Sequence, residues 1–182
     1  RWMHVRDGKP DPFKGLETLS DWLSELEKNQ PPKEPSAAVP AKLLELIISV
    51  TDTNSITGAI IVSAATLGFW FLLRSIEYLA ADCGVFDPAR SLTWGDLIFR
   101  KEGEITPQHR CTEADELTIT VYSGKGTLHT CTRSLKANPD SATCVLKWIK
   151  NLYTVLLKHN KAPKTGDSLF RKADGKVLTR SN

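Results

Sequence analysis

At 182 residues, with 41% apolar and 25% charged residues, the chain has ordinary globular composition and enough length for one full core or somewhat more, which excludes disorder throughout. Its formal net charge of +3 conceals an asymmetry: residues 1–90 carry 9 Lys/Arg against 12 Asp/Glu, whereas residues 125–182 carry 12 Lys/Arg against 3 Asp and no Glu, a net +9. A segment that basic favours a polyanionic partner, nucleic acid before any other, over a merely solvated face.

The first residues, "RWMHVRDGKPDPFKG", lack an initiator Met and the basic, apolar and small-residue succession of a signal peptide, so the chain reads as a piece of a longer protein. Leu16, Leu19, Leu23 and Leu26 recur at helical spacing beside Trp22, which predicts a helix over 16–28 within an N-terminal helical region, residues 1–30. "NQPPKEPSAAVP" then places four prolines in twelve residues and marks 31–40 as a linker, with a second domain over 41–182. "AKLLELIISV" predicts a helix over 41–50, "TDTNS" a turn, and the following residues a long buried helix from 56 to 81, bent near Gly68.

Thr53 to Leu73 holds no charged residue and approaches the length of a bilayer span. Its hydroxyls, its two glycines and an apolar centre confined to Ala59–Leu73 argue instead for a core helix, and no membrane partner is expected.

After Asp82 the texture changes. "SLTWGDLIFR", "DELTITVYS" and "TLHTCTRSL" are rich in Thr, Val, Ile and aromatics and predict strands near 92–100, 116–123 and 127–135. The last two form a hairpin turning through Ser123, Gly124, Lys125 and Gly126. A helix follows, capped by Asn138 or Asp140, with Val145, Trp148, Ile149, Leu152, Tyr153 and Leu156 on its apolar face and Lys147, Lys150 and Lys158 on the other. The tail reads as a turn and the start of another helix. The expected class is α+β, mostly helical with a small three-stranded antiparallel sheet.

Cys83, Cys111, Cys131 and Cys144 are widely spaced with no C-x-x-C pair, so neither a zinc knuckle nor a disulfide framework is expected. Reduced thiols in an intracellular protein, cytoplasmic or nuclear, follow; no metal and no cofactor are implied.

The order of a buried helix ending in Arg-x-x-Glu, a Trp-Gly-Asp strand, a Gly-Lys-Gly hairpin and a basic helix resembles the catalytic domain of tyrosine recombinases, the integrase superfamily. "LGFWFLLRSIEYL" is similar to its form in eukaryotic mobile-element recombinases of the Crypton kind. The resemblance covers residues 38–182 and is strongest at 64–98. It implies DNA strand cleavage and rejoining by the parent protein, double-stranded DNA as partner and self-association on that DNA. By the same resemblance Arg74 is the catalytic arginine, Lys125 the hairpin lysine, and Glu77 and Asp96 the carboxylates that support them.

Those roles suit attack on a phosphodiester: a guanidinium offers a fixed fork of donors to the charged phosphate, and a lysine of lowered pKa can protonate the leaving oxygen. Plainer readings stand beside them. Arg74 also suits a helix end or a pair with Glu77, and Lys125 an ordinary solvated turn. His129, Arg133, Lys147 and Lys150 are positioned either to touch phosphate or to face solvent. The chain departs from the family in lacking a His-x-x-Arg box, and Tyr78, Tyr122 and Tyr153 all precede the place of the nucleophile. On this reading these 182 residues do not cleave DNA alone, and the alternative is a non-catalytic DNA-binding module or degenerate mobile-element remnant.

Overall fold

A computed structural model describes residues 39–80, 86–88, 91–123 and 129–179. The helix expected over 16–28, and all of the proline-rich linker except Val39 and Pro40, lie outside these residues. Val39–Asn182 forms one compact unit.

Pro40, held at φ −75° and unable to continue a helix backwards, precedes α1, Ala41–Val50. A turn follows in which the Asp52 carboxylate accepts the Asn54 N–H at 3.1 Å and the Ser55 hydroxyl donates to the Asp52 carbonyl at 2.8 Å. Ser55 then caps α2, Ile56–Trp70, by accepting the Gly58 N–H at 3.0 Å. Apolar and small residues surround this helix on every side, and Ala59, Ile60, Val62 and Leu67 are almost fully buried. No described helix is long and apolar enough to cross a membrane. Its buried hydroxyls are satisfied locally or across the core: Thr66 donates to the Val62 carbonyl at 2.8 Å and Ser63 to that of Trp148 at 2.9 Å.

The expected continuous helix to residue 81 is corrected. The helix stops at Trp70, Leu72 swings to φ 52°, and only a single turn, α3, Ser75–Tyr78, resumes. Leu73 N–H bonds the Gly68 carbonyl at 3.0 Å and Leu72 N–H that of Phe69 at 3.3 Å, the pairing that closes a helix through a left-handed residue. Gly68 lies within the last turn of the helix, against Tyr78. It leaves room for Tyr78, whose hydroxyl would lie 2.5 Å from a Cβ at that position.

Among the described residues the sheet has four strands rather than three, all antiparallel, in the order β2-β1-β3-β4. A 3-10 turn, Trp94–Asp96, replaces the first half of the strand expected at 92–100, so β1 runs Leu97–Lys101. The additional strand, β2, is Glu104–Thr106; it joins β1 through Glu102 and Gly103, both at positive φ, the geometry a two-residue hairpin loop needs. β3, Glu116–Ser123, and β4, His129–Lys136, pair without interruption from Glu116↔Lys136 to Ser123↔His129, close to the expected boundaries.

The last helix, α4, Val145–Lys158, starts later than Asn138 or Asp140 suggested. Residues 138–144 are held as a loop in which Asn138 N–H meets the Cys144 sulfur at 3.4 Å and Trp148 Nε1 donates to the Ala142 carbonyl at 2.7 Å. The core is continuous: Ile60 and Leu67 of α2, Ile149 and Leu152 of α4, and Phe99, Leu117 and Ile119 of the sheet belong to it. Trp94 and Trp148 are both buried, Trp94 meeting Tyr153 edge to face at 5.8 Å.

Residues 180–182, part of the helix start expected at the end of the tail, lie outside the described residues. Past α4 the described tail forms no helix up to residue 179. It runs as a strap: Trp94 and Gly95 donate their N–H groups to the carbonyls of Asp167 and Thr165 at 3.1 and 2.7 Å, and Ala80 donates to that of Leu178 at 3.2 Å. Isolated bridges join Thr93 to Ser168 and Ala80 to Thr179.

Cys111 and Cys144 are buried free thiols, and Cys131 is an exposed one. Burial pushes the Cys111 thiol up to about 11. Its neutral form therefore favours the folded state at neutral pH, and that contribution is lost as pH rises through the folded value. At neutral pH a thiol reagent is expected to modify Cys131 within minutes while Cys111 and Cys144 react only after denaturant is added. Mass spectrometry of digested samples checks this; rapid labelling of Cys111 in the native protein would contradict its burial.

Candidate functional site

The turn that ends α2 gathers more of the expected site residues than any other described place. Arg74 is the N-cap of α3 in extended backbone, and its N–H donates to Glu77 Oε2 at 2.8 Å. The Arg-x-x-Glu spacing therefore has a local purpose: three residues on, a carboxylate satisfies the N–H of the capping residue and places negative charge at the start of the helix turn. Glu77 is buried in that role. The Arg74 guanidinium makes no side-chain bond to the cap; its side chain is exposed.

Asp96 repeats the device. Its Oδ2 accepts both the N–H and the hydroxyl of Thr93, each at 2.8 Å, which closes the 3-10 turn before β1. Its other oxygen accepts the Tyr122 hydroxyl at 3.4 Å. The Asp96 charge raises the Tyr122 pKa, holding the phenol protonated as that donor. Both supporting carboxylates thus brace backbone turns, and neither touches the arginine side chain. Tyr122, which joins Asp96 to the hairpin strand β3, was not among the residues sequence reasoning selected; no spacing marks it.

Arg133 lies on β4 opposite Ile119 and reaches back to the α2 turn. Its Nη1 donates to the carbonyl of Phe71 and lies 3.5 Å from that of Leu72. These carbonyls belong to the closing turn of a helix, where partners of positive charge are favoured. Arg133 thereby anchors the backbone two residues before Arg74 to the sheet.

The lysines of α4 stand in a different setting. Lys147 is exposed, its ammonium 5.5 Å from the Trp148 ring centroid. Lys150 is half-buried and donates to the Ala114 carbonyl at 2.5 Å, tying α4 to the end of the 3-10 segment Gln108–Glu113. Desolvation lowers its pKa. Both lysines line an open cleft of about 550 Å³ with Thr53, Cys144, Asn151 and Thr154.

Lys125, with the rest of the turn at 124–128, lies outside the described residues, as does the side chain of His129. The ladder shows only that the turn joins adjacent strands whose last pair is Ser123↔His129. Among the described residues no group of His, Cys, Asp or Glu converges to hold a metal ion.

No family model, curated protein or solved structure matches this chain. Trp70 and Leu72, 43% and 82% exposed beside Arg74, are the surface features the sequence concealed, since both sit in a run that reads as buried helix.

Proposed function

We propose that this chain grips the backbone of double-stranded DNA and that, in the longer protein implied by the recombinase resemblance, it supplies the leading part of a strand-cleaving and rejoining site. Arg74 is the phosphate clamp and Lys125 the proton donor to the leaving oxygen. The observation that carries the reading is the presentation of Arg74. A turn fixed by the Glu77 carboxylate and the Arg133 guanidinium holds its backbone while leaving its own guanidinium exposed. That arrangement suits a clamp: the fork of donors is open to an arriving phosphate while the backbone that carries it stays in place.

The second reading, a DNA-binding module without chemistry, draws on a different observation. Glu77 and Asp96 are both taken up by backbone turns and neither bonds the Arg74 side chain, so the supporting carboxylates have structural roles that need no chemistry. Self-association on DNA belongs to the first reading and is proposed with it.

Fluorescence anisotropy with a labelled duplex separates the arginine from its support. Arg74→Ala is expected to weaken binding about tenfold, equally on unrelated sequences, and to reduce the salt slope by about 1, with an unchanged unfolding midpoint. Glu77→Ala is expected to act through the turn: a loss of about 1 kcal/mol in stability from the missing cap, with a smaller loss of affinity than Arg74→Ala causes. If Arg74→Ala leaves duplex affinity untouched, Arg74 is not a phosphate ligand.

A further inference from the structure

β4 is one of the two outer strands of the sheet among the described residues, the longer of them, and it is an unusual edge. Its eight residues pair with β3 in unbroken register, with no bulge and no proline, and Thr130, Cys131, Thr132, Ser134 and Lys136 are exposed. Natural sheets shorten, bulge or cover such edges, because a row of free N–H and C=O groups accepts another strand. Among the described residues nothing pairs with the outer side of β4.

Beside this edge lies an open groove of about 330 Å³, lined by Trp70, Phe71, Leu72, Arg133, Ser134 and Leu135. Of its apolar lining Trp70 and Leu72 are held outward, while Phe71 is buried in the core. Leu72 is 82% exposed because the left-handed turn puts it there, and Arg133 bonds fix that turn to β4 itself. Ile76, 58% exposed, continues the apolar surface on α3. Trp70 is fastened by its indole N–H to the Thr143 carbonyl at 2.7 Å, leaving the ring partly open.

We infer that the outer edge of β4 and the adjoining groove dock an extended, acid-flanked peptide segment of a partner protein, which joins the sheet as a fifth strand and places an apolar side chain against Trp70, Leu72 and Leu135. The backbone edge decides for a peptide over a nucleic acid, because only another main chain offers alternating donors and acceptors at strand spacing. Charge decides its flanks: the segments 70–76 and 129–136 contain Arg74, Arg133 and Lys136 and no carboxylate. The nearby Glu77 carboxylate is buried on the Arg74 N–H. Charge also disfavours a second copy of the same strand, which would bring these cations together. The site shares the charge of Arg74 and Arg133 with the DNA reading, but its main contacts, the β4 main chain and the apolar groove, belong to it alone.

The probe is the synthetic peptide EEVTLTVEE, labelled at its N-terminus and titrated into the full chain by anisotropy. Saturable binding below about 1 mM is expected. N-methylation of alternate backbone nitrogens on the edge that faces β4 should abolish it, and replacement of every Glu by Lys should weaken it about tenfold. Leu72→Asn keeps the left-handed turn, because Asn tolerates that backbone, yet removes the apolar contact. It should weaken the peptide about tenfold and leave duplex DNA binding unchanged. The inference is overturned by absence of peptide binding, by indifference to N-methylation, by a Leu72→Asn defect in DNA rather than peptide binding, or by self-association that Leu72→Asn abolishes.

Discussion

Duplex affinity is expected to fall by about three orders of magnitude between about 50 and 200 mM salt, if some six of the cations in residues 125–182 meet phosphates. The basis is the distribution of charge, 12 Lys/Arg against 3 Asp in that segment, and not the modest total of +3. Each phosphate neutralised releases condensed counterions, so the logarithm of affinity should be linear in the logarithm of salt concentration, with a slope counting those contacts. Sequence should matter little, because backbone contacts carry no base information. Anisotropy titrations on two unrelated duplexes at four salt concentrations measure both. A flat salt response, or no binding at the lowest concentration, would remove DNA as the partner.

Gly58→Ala is expected to cost about 3 kcal/mol or more, equivalent to a fall in Tm of about 10 °C. A Cβ on Gly58 would stand 2.0 Å from the Asp52 carbonyl oxygen and 2.8 Å from its carbon, and backbone atoms cannot rotate away as a side chain can. The collision would push the 52–55 turn off the first turn of α2. It would strain the Ser55 cap and the bond from Asn151 Nδ2 to the Thr53 carbonyl at 2.9 Å, which ties the turn to α4. Ser55→Ala removes the cap without the collision and should cost only about 1 kcal/mol. Thermal unfolding followed by circular dichroism compares the two; a Gly58→Ala midpoint no lower than that of Ser55→Ala would refute the steric account.

The elements most legible in the sequence were those with a sustained period. The apolar face of α4 is a helical repeat over four turns, and β3 and β4 carry enough Thr, Val and Ile to mark them as strands, so their positions needed no tertiary information, whereas their register, closing at Ser123↔His129, did. The end of α2 was hidden because the left-handed position holds Leu72, not glycine, and an apolar side chain there continues the buried pattern. β2 was missed since Glu102–Gly103 is a weak form of the usual Asn-Gly or Asp-Gly signal and the strand has three residues. The onset of α4 was misplaced by polar residues that look like caps, whereas the indole of Trp148 and the thiol of Cys144 keep that loop unwound.

Of the candidate site, Arg74, Glu77 and Asp96 were singled out by the family resemblance, and the fold gives both carboxylates a backbone role. What the sequence could not carry was accessibility. The freedom of Arg74, the internal bonds of Arg133 and Lys150, and the exposure of Trp70 and Leu72 all depend on residues distant in the chain, 62 positions away in the case of Arg133 and Phe71.

The strap from residue 164 to 179 sets an order of events during synthesis. Ala80, just beyond the Arg74 turn, finds its backbone partner only at Leu178, and the Trp94–Asp96 turn finds its own at Thr165 and Asp167. At ordinary translation rates roughly 5–20 s separate the emergence of Ala80 from that of its partner. For the greater part of that interval, until Val145–Lys158 has emerged, α2, apolar on every side, waits without the helix that packs on it. The nascent chain therefore passes through a stage in which its most hydrophobic segment is complete but unburied, and it is there, before the last contacts close, that a chaperone has the most to hold.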